Sequence, residues 1–368
     1  MNQESIRIGL IGVGGVCAMV HYPGLRIIPG VDIVGLCDAN PTLLAQRGEE
    51  WEVGAQYGDV ERMLNEVKPD AVVVATPNCE HLPIVLAALE AGCHVLCEKP
   101  LGLDVGETVA MYRAAERLGR RHMTAFTYRF VPGMRYLASL VREGALGEIY
   151  HARLQRLQDW PDHSLGWRQY RAMAGSGQLA DMALHRIDLA HDLLGPITSV
   201  CGSMRNLIGR DRTKDGEACA PQDVDDWVAF LAEFESGVTG VFESGRLSKG
   251  RGPAGDHDVC ELNGSEASAA YQLHTPDQIL FARRGEAFEM RDVPEAFLKS
   301  SGSPRALGDG NPEVTFRYDQ AFEFVSAIRE ERACRPSFKE GVQAQAVCDA
   351  VIESSEGRRW VDVVDPLG

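Results

Sequence analysis

The sequence has no hydrophobic run that approaches the ~20 apolar residues of a transmembrane helix. Its first residues, MNQES, contain no basic segment, twin-arginine pair or apolar core of a secretory signal, so we expect a soluble protein of the cytoplasm. Clusters of Lys and Arg are missing as well, and the formal net charge is -16. A surface of this sign repels phosphate backbones and anionic lipids, which argues against nucleic acid and membranes as partners.

The sequence also lacks the residue patterns of a metal site and of a disulfide framework. The ten cysteines form no Cys-x-x-Cys pair and no Cys/His cluster with zinc-like spacing. Cys93 and Cys97 lie in one apolar run and are expected to be small buried residues in a reducing compartment. The sequence shows too few converging carboxylates for a hard divalent ion, so we predict no metal site.

The chain of 368 residues exceeds the usual size of a single hydrophobic core and suggests two domains. From Ile6 to about Phe126, short β-branched runs alternate with amphipathic segments of helical length. This alternation predicts right-handed βαβ units and a parallel sheet covered on both faces, which we assign to an α/β domain of residues 1–128. The predicted strands are IRIGLIG, VDIVGLCD, AVVVATP, HVLCEKP and RHMTAFTY.

A second domain, residues 129–368, is predicted to be α+β with a mainly antiparallel open sheet. A helix in PGMRYLASLVREGALG leads into a strand near residues 148–157, and another helix is predicted over residues 178–194. WVAFLAEFESGVTGVFES contains two alternating runs joined at residues 235–237, a pattern typical of a β-hairpin.

The last part of the chain begins with a stretch rich in Ser, Gly and Pro, residues 298–312, which predicts a long surface loop. Two amphipathic helices are predicted near residues 316–331 and 339–355, followed by a short strand at residues 360–363. The pattern leaves open whether these last helices pack back against the N-terminal domain.

The first strand runs directly into GVGGVC, residues 12–17. In a dinucleotide-binding fingerprint the first glycine permits a tight turn, the second lets backbone amides approach the pyrophosphate, and the third allows close helix-to-strand packing. Cys17 takes the third position and is small enough for that packing. Pro23 predicts that the helix after the loop is short or kinked. The sequence therefore predicts a nucleotide site at this turn.

Asp38 follows the second strand at about the interval expected for a carboxylate that binds the adenosine ribose. Its charge would repel a 2′-phosphate at ~4 Å by up to about 4 kcal/mol at an effective dielectric of about 20, and Ala39, Asn40 and Pro41 offer no compensating cation. We therefore predict NAD rather than NADP as the cofactor. The alternative is that Asp38 only caps the helix that follows.

Two later strands end in polar residues, in ATPN (residues 75–78) and CEKP (residues 97–100). Ligands of open α/β sheets bind outside the carboxyl ends of the strands, which places Thr76, Glu98 and Lys99 beside the predicted cofactor. Lys99 would lie at the nicotinamide end. The alternative is that Glu98 and Lys99 form only a solvated surface pair.

The segment GSGQLADMALHRIDLAHDLLG, residues 175–195, contains a second polar cluster. Four of its polar residues are spaced four, three and four apart and would share one stripe of a helix. They are Asp181, His185, Asp188 and Asp192. Such a stripe can bind a ligand or can simply be an exposed helix face.

In this order and with these intervals, GVGGVC, ATPN, EKPLG, YRFVP, WR and GQLADMALHRID resemble the Gfo/Idh/MocA family of oxidoreductases, named for glucose-fructose oxidoreductase and inositol dehydrogenase. The resemblance spans nearly the whole chain, and its specificity lies in the combination of EKP with the Asp-x-x-x-His helix. It implies a Rossmann domain, an open C-terminal sheet, and a homodimer or homotetramer formed through the outer face of that sheet. It also allows a cis peptide bond between Lys99 and Pro100, which some relatives show.

The resemblance implies roles for individual residues. Lys99, Asp181 and His185 match the family's catalytic trio, and Tyr128 and Arg129 lie where the chain crosses between domains. The predicted substrate contacts are Lys99, Tyr128, Asp181 and His185. The predicted cofactor contacts, from the fingerprint, the strand ends and the resemblance together, are Gly12, Gly14, Gly15, Val16, Asp38, Thr76, Pro77, Asn78, His81, Glu98, Lys99, Arg129, Trp167 and Arg168.

These features predict an NAD-dependent dehydrogenase that transfers hydride between nicotinamide and the secondary alcohol or ketone of a sugar, inositol or related cyclic polyol or diol. His185 is the predicted general base, because an imidazole with a pKa near ~6.5 suits proton removal at physiological pH. Lys99 would stabilise the developing alkoxide, and Asp181 would orient the substrate or tune its neighbours. Loops at residues 160–170 and 245–255 are predicted to set specificity. Two alternatives stay open: a glycosidase that oxidises its sugar transiently with bound NAD, and an NAD-sensing regulator without catalysis.

Overall fold

The computed structural model describes residues 5–159, 166–212, 216–251, 257–308 and 310–368. Contacts between residues divide the chain into two compact units. Unit 1 consists of Met1–Gly102, Gly106–Thr127 and Lys299–Val342, and unit 2 consists of Leu103–Val105, Tyr128–Leu298 and Gln343–Gly368. The segment Lys299–Val342 therefore groups with the N-terminal strands, although it lies beyond the boundary that the sequence pattern suggests.

Within the described ranges the α-helices are, in chain order, α1 (Tyr22–Arg26), α2 (Pro41–Trp51), α3 (Val60–Val67), α4 (His81–Glu90), α5 (Val105–Arg117), α6 (Pro132–Arg142), α7 (Arg171–Ala174), α8 (Leu184–Leu194), α9 (Glu295–Leu298), α10 (Pro312–Thr315), α11 (Tyr318–Arg329) and α12 (Phe338–Gly357). Each of them is too short or too polar to span a lipid bilayer.

The strands of unit 1 are β1 (Ile6–Ile11), β2 (Val31–Cys37), β3 (Gln56–Tyr57), β4 (Ala71–Val74), β5 (His94–Cys97) and β6 (His122–Thr124). They form one sheet in the order β3-β2-β1-β4-β5-β6, and every neighbouring pair is parallel. The strand order reverses beside β1, which is where Rossmann domains bind dinucleotides. The predicted parallel Rossmann sheet is confirmed. Only β3 was not predicted, because two residues are too few to show a periodic pattern.

The chain after the glycine loop forms a π-helical turn, Cys17–His21, and then the five-residue α1. Pro23 lies where the π-helical turn joins α1, and because proline has no N–H it cannot donate to a carbonyl of the preceding turn. The prediction of a short first helix is confirmed.

Unit 2 contains the strands β7 (Ile149–Leu157), β8 (Ile197–Arg205), β9 (Trp227–Phe234), β10 (Thr239–Gly245), β11 (His257–Gly264), β12 (Ala267–Gln272), β13 (Gln278–Arg283), β14 (Glu289–Asp292) and β15 (Val361–Asp362). Their order is β14-β13-β12-β11-β7-β10-β9-β8-β15. The pair β7/β10 is parallel and the other neighbours are antiparallel. The mainly antiparallel sheet and the β9–β10 hairpin are confirmed.

The two faces of this sheet differ in burial. Alternate residues of β9 and β10 are buried, and α8 packs on β7 while α6 packs on β12 and β13. On the other face Leu231 is 48% exposed and Val241 is 39% exposed. The sheet is therefore open on one side, as the family resemblance implies.

The stretch at residues 298–312 is not simply the surface loop that its composition predicts. Ser303 and Arg305 are buried and both bind Asp319 of α11, with Ser303 Oγ donating to Oδ1 at 2.6 Å and Arg305 Nη2 to Oδ2 at 3.1 Å. The N–H of Ser300 donates to the same carboxylate at 2.9 Å. One fully buried aspartate thus anchors part of the stretch.

All ten cysteines are free thiols. Cys93 and Cys97 are 1% and 0% exposed, and burial raises the pKa of Cys93 to about 11. The prediction that these two residues are small buried side chains is confirmed.

Candidate active site

Gly12 begins the turn that follows β1. Its φ is 83°, in the left-handed region, and a Cβ at this position would lie 2.5 Å from the carbonyl oxygen of Ala75. Only glycine fits here, because the loop backbone packs directly against the end of β4. This is the tight turn that the fingerprint requires.

The rest of the glycine loop borders open space. A Cβ built on Gly14 or Gly15 would meet nothing within 4 Å, and Val16 is half-buried. Cys17, at the third fingerprint position, is fully buried, and this burial raises the pKa of its thiol. The loop therefore leaves room in which a pyrophosphate could approach the backbone.

The Asp38 carboxylate lies at the end of β2 and binds backbone amides. Its Oδ2 accepts the N–H of Val13 at 2.9 Å, and its Oδ1 accepts the N–H of Asn40 at 2.8 Å. The N-cap of α2 is Asn40, whose side chain accepts the amides of Thr42 and Leu43 at 3.1 Å each. The alternative that Asp38 caps this helix is therefore wrong. Each Asp38 oxygen keeps lone-pair capacity for a ribose hydroxyl.

The residues after β4 and β5 are joined by His81. Its Nδ1 lies 3.0 Å from the carbonyl oxygen of Pro100, and its Nε2 lies 3.1 Å from that of Thr76. Burial lowers the pKa of His81, and a neutral ring donates to one of these carbonyls at a time. The Thr76 hydroxyl oxygen is buried and bonds to no described residue, while Pro77 is half-buried and Asn78 is buried beside it. His81 thus connects the two strand ends.

Glu98 pairs with a histidine and not with solvent. Its Oε1 lies 2.8 Å from Nε2 of His21, and the two side chains are 12% and 1% exposed. Burial acts to raise the pKa of Glu98, but the hydrogen bond and charge of His21 outweigh it and lower the pKa. The Lys99 N–H donates to Glu98 Oε2 at 3.2 Å. The alternative of a solvated Glu98–Lys99 pair is wrong, and the Lys99–Pro100 bond is cis, as the resemblance allows.

Asp181 and His185 lie on one helical segment of unit 2. The segment begins with a π-helical turn, Leu179–Ala183, and continues as α8. An uninterrupted α-helix over residues 178–194 is therefore wrong in its first turn. Asp181 is half-buried, and His185 is 4% exposed. Because a π turn holds an extra residue, it changes the direction of Asp181 relative to His185 from that on a regular α-helix.

The His185 imidazole packs against the ring of Tyr128, with centroids 4.7 Å apart and planes at 59°. The guanidinium carbon of Arg186 lies 4.5 Å from the Tyr128 centroid, and that of Arg156 lies 6.0 Å away. Both arginines bind the buried carboxylate of Asp258. Tyr128, predicted as a substrate contact, is 3% exposed and supports the imidazole from a buried charged cluster.

Arg129, predicted as a cofactor contact, binds two carboxylates of α8. Its Nη2 and Nε lie 2.6 and 2.7 Å from the two oxygens of Asp188, and its Nη1 lies 3.0 Å from Asp192 Oδ1. Asp188 is 1% exposed, so the polar stripe of this helix is not merely an exposed face. The two-pronged contact fixes α8 geometrically.

Trp167 and Arg168 form a 3₁₀ turn with Gln169. Trp167 is half-buried and Arg168 is exposed, and the Arg168 guanidinium carbon lies 4.2 Å from the Trp167 ring centroid. This is a cation–π contact. The predicted specificity loops at residues 160–170 and 245–255 lie partly outside the described residues, at 160–165 and 252–255.

Several important residues were not found from the sequence. His21, Arg186 and Asp258 act through partners distant along the chain, and His21 is 77 residues from Glu98. The available signal was a charged or titratable residue within an otherwise apolar run, which predicts a buried partner but not its identity.

The residues at the carboxyl edge of the unit 1 sheet fit a dinucleotide. Space is open beside Gly14 and Gly15, the Thr76 hydroxyl has no hydrogen-bond partner among the described residues, and the Asp38 carboxylate accepts the N–H of Val13 in the loop after β1. This fold and site define an NAD-binding oxidoreductase.

The chain belongs to the Gfo/Idh/MocA family. Residues 6–126 match the family of oxidoreductases with an NAD-binding Rossmann fold, and residues 134–270 match the Gfo/Idh/MocA C-terminal domain.

Similar proteins include sugar and inositol dehydrogenases. The levoglucosan dehydrogenase of Pseudarthrobacter phenanthrenivorans is 31% identical over 98% of this chain and 99% of its own. The myo-inositol 2-dehydrogenase of Thermotoga maritima is 27% identical over 66% of this chain and 69% of its own. A solved levoglucosan dehydrogenase in complex with NADH and levoglucosan has a TM-score of 0.89 at 30% identity and covers 98% of this chain and 100% of its own.

Proposed function

We propose that this protein is an NAD-dependent dehydrogenase that oxidises a secondary alcohol of a sugar, an inositol or a related cyclic polyol or diol, or reduces the corresponding ketone. The main support is the joint presence of Lys99, at the carboxyl edge of a Rossmann sheet, and of Asp181 and His185 on one helical segment. The relatives compared above act, by name, on levoglucosan and myo-inositol, which are both polyhydroxylated rings. The substrate class follows from that shared chemistry.

When bound, NAD supplies the hydride acceptor for the carbinol carbon. The protein must then remove the hydroxyl proton and stabilise negative charge on the oxygen. We assign proton removal to an imidazole nitrogen of His185, because a neutral imidazole accepts a proton at physiological pH. The Lys99 ammonium stabilises the charge on oxygen, and the Asp181 carboxylate orients the substrate or tunes the other two groups.

The surroundings of His185 suit a residue that must hold one orientation. Its ring packs against buried Tyr128, and its helix is held by the Arg129–Asp188 pair. A catalytic side chain that is held by packed neighbours populates few unproductive orientations. The same contacts fix the direction in which the imidazole can take a proton.

We propose that the glycine-loop amides hold the pyrophosphate and that Asp38 binds the adenosine ribose of NAD. Asp38 disfavours NADP, because two negative charges about 4 Å apart repel by up to about 4 kcal/mol at an effective dielectric of about 20. One cation, Arg47, does reach the loop backbone, since its Nε donates to the Val13 carbonyl oxygen at 3.4 Å. Its guanidinium is already paired with Glu50, so it compensates a 2′-phosphate poorly.

We also propose that copies of the chain associate through the open face of the unit 2 sheet. Leu231, Val241 and Arg153 are cross-strand neighbours in one row. The two apolar members are 48% and 39% exposed. A second copy would bury this apolar surface.

The test of the function is an NADH absorbance assay with levoglucosan, inositols, sugars and cyclic diols, with NADP in parallel. We expect NADH to accumulate with at least one cyclic polyol. Glycoside cleavage without net NADH would instead identify a glycosidase that uses NAD transiently. NADH binding with no turnover across the panel would identify a regulator without catalysis.

His185→Ala tests the assignment of the base. We expect this variant to bind NADH with parental affinity and to lose turnover, because the glycine loop is unchanged while the proton acceptor is gone. His191→Ala, on the same helix, is the matched control and should retain turnover. Near-parental kcat in His185→Ala would refute the assignment.

A further inference from the structure

Asp225 holds the start of the helical segment that contains the proposed catalytic residues. Its Oδ1 accepts the N–H of Gly177 at 2.6 Å, and its Oδ2 accepts the N–H of Leu179 at 3.0 Å. Its backbone oxygen accepts the N–H of Gln178 at 3.2 Å. Asp225 therefore accepts hydrogen bonds from three consecutive backbone amides.

These are amides that a helix cannot satisfy by itself, because its first four N–H groups have no intrahelical acceptor. The following amide, that of Ala180, donates to Ser176 Oγ at 3.1 Å. The contact with Asp225 is also close, since a Cβ on Gly177 would lie 2.0 Å from the Asp225 carbonyl oxygen. Asp225 thus satisfies most donors at this helix start and leaves no room for a different approach.

Asp225 is itself held by the sheet of unit 2. The next residue, Asp226, donates its N–H to Arg205 O at 2.8 Å and accepts the Arg246 N–H at 3.2 Å, which ties the pair to the ends of β8 and β10. The two aspartates are 5% and 0% exposed. The carboxylate that binds the helix start therefore lies next to backbone that is hydrogen-bonded to the ends of two strands.

We propose that Asp225 is a positioning residue: it fixes the turn from Gly177 to Ala183 on the sheet and so sets where Asp181 and His185 stand toward the substrate. The inference rests on the proposed function, because it takes these two residues to act on substrate. The position suits a carboxylate, since the start of a helix carries partial positive charge. The Asp181 N–H donates to Gly177 O at 2.9 Å, so the position of Gly177 also determines the position of Asp181.

Asp226 offers a matched control beside Asp225. Its Oδ2 also accepts two backbone amides, of Leu207 at 2.9 Å and Ile208 at 3.2 Å. These amides lie after β8 and not on the helical segment. The two carboxylates therefore do similar work on different pieces of backbone.

The carboxyl pKa values of the two aspartates are shifted in opposite directions. Burial raises the pKa of Asp225. Burial acts in the same direction on Asp226, but hydrogen bonds from Arg210, Gln222 and the two amides outweigh it and lower the pKa of Asp226. A neutral Asn should consequently be better tolerated by the fold at position 225 than at position 226.

The experiment compares Asp225→Asn with Asp226→Asn in the full chain. Asn keeps one acceptor and turns an NH₂ group toward the other amide, so Asp225→Asn should release the helix start. We expect its kcat, with NAD and the most active of levoglucosan and myo-inositol, to fall roughly 10- to 100-fold, as displacements of about 1 Å do. NADH affinity should stay near parental, and the melting temperature should fall because a buried amide loses its acceptor. Asp226→Asn should lower the melting temperature further and leave kcat near parental.

Gly177→Ala disrupts the same contact from the helix side and should lower kcat as Asp225→Asn does. The inference therefore stays testable if one of the two variants fails to fold. Amide hydrogen exchange of residues 177–185 gives a readout without turnover. Exchange in this segment should accelerate in Asp225→Asn and not in Asp226→Asn. Because this result does not depend on oxidation of a polyol, it tests the inference even if the proposed function is wrong. Parental kcat in both Asp225→Asn and Gly177→Ala, or unchanged exchange in this segment, would overturn the inference.

Discussion

The buried pair of His21 and Glu98 joins the turn after the glycine loop to the backbone of Lys99. Glu98→Gln keeps the size of the side chain but removes the ionised acceptor. We expect the free energy of unfolding to fall by about 1 to 3 kcal/mol. NADH affinity and kcat should fall as well, because the loop and Lys99 lose a common anchor. Chemical denaturation and NADH fluorescence titration measure these effects.

Glu116→Gln is the control for this prediction. Glu116 Oε1 lies 2.9 Å from His122 Nε2, but its side chain is 58% exposed. Because only the His122 side of this pair is buried, it should contribute less than the buried His21–Glu98 pair, and it lies away from the glycine loop. Equal losses of NADH affinity in the two variants would contradict the anchoring role of Glu98.

Asp38 is the residue expected to decide between NAD and NADP. Asp38→Ser removes a repulsion of up to about 4 kcal/mol against a 2′-phosphate. The ratio of kcat/KM for NADP to that for NAD should therefore rise at least ~10-fold, since about 1.4 kcal/mol corresponds to that factor. Initial rates with both cofactors measure the ratio.

Asp70→Ser is the matched control for Asp38→Ser. Asp70 also accepts a backbone amide, the N–H of Arg7 at 2.8 Å, but it precedes β4 and lies at the opposite edge of the sheet from the glycine loop. Its substitution should leave the cofactor ratio unchanged. An unchanged ratio in Asp38→Ser would remove Asp38 from the choice of cofactor.

Single residues could be predicted where a fixed interval links them to a strand end. Asp38 and Lys99 were placed in this way, because parallel strands bring their carboxyl ends to one edge. The partner of Glu98 could not be predicted, since His21 pairs with it across 77 residues. The succession of strands and helices along the chain can be predicted from local patterns, whereas the pairing of buried charges depends on the folded core.

Among the helices, the segment with Asp181 and His185 shows what periodicity cannot detect. A helical pattern of apolar residues predicted one regular helix, but the first turn, Leu179–Ala183, is π-helical. One extra residue in a turn leaves the average spacing nearly unchanged over a short segment. The amides of Gly177 and Leu179 at the start of this segment donate to Asp225, on a distant part of the chain.

His94 links two strands and makes the stability of unit 1 depend on pH. It begins β5, and its Nδ1 accepts the N–H of Arg121, just before β6, at 2.8 Å. Burial, together with Arg120 and Arg121, lowers its pKa from 6.5 to about 4. Between these two values the unfolded chain binds a proton that the folded protein does not. The stability from neutral His94 is therefore complete above the higher value and is lost as the pH falls to the lower one.

His94→Gln tests this dependence. Gln can still accept the Arg121 N–H but does not titrate, so the loss of roughly 2 to 3 kcal/mol on acidification should largely disappear. Urea unfolding at several pH values between 6.5 and 4 measures the slope. His151→Gln, at an exposed position of β7, should keep the parental slope. A parental slope in His94→Gln would show that other groups cause the acid sensitivity.

At the scale of the whole molecule, the sequence predicted whether each sheet is parallel or antiparallel. It did not predict every strand pairing or which unit each segment joins. Alternating strands and helices predicted the parallel sheet, and the β9–β10 hairpin predicted the antiparallel one. The parallel pair β7/β10 was not predicted, and the sequence left open whether the last helices group with the N-terminal strands, as Lys299–Val342 does. Both depend on contacts between segments far apart in the chain, and local periodicity carries no record of them.

The open face of the unit 2 sheet should determine the oligomeric state. Leu231 and Val241 stand side by side on β9 and β10 and are 48% and 39% exposed. In a two-fold symmetric contact each residue meets the same patch of the second copy. The double variant Leu231→Lys, Val241→Lys places four ammonium groups in that contact, where burying unpaired charge is costly. We expect the mass measured by light scattering after gel filtration to fall to that of a smaller assembly.

Ile27→Lys provides the control for this variant. Ile27 belongs to unit 1 and is 39% exposed, as Val241 is, so the substitution adds a similar charge at a similar exposure on a different surface. It should leave the mass of the assembly unchanged. Because both kinds of variant replace exposed apolar side chains, neither should lower the melting temperature of the unfolding transition through loss of core packing. If the open-face variant keeps the parental mass, the copies do not associate through Leu231 and Val241, and any assembly must use another surface.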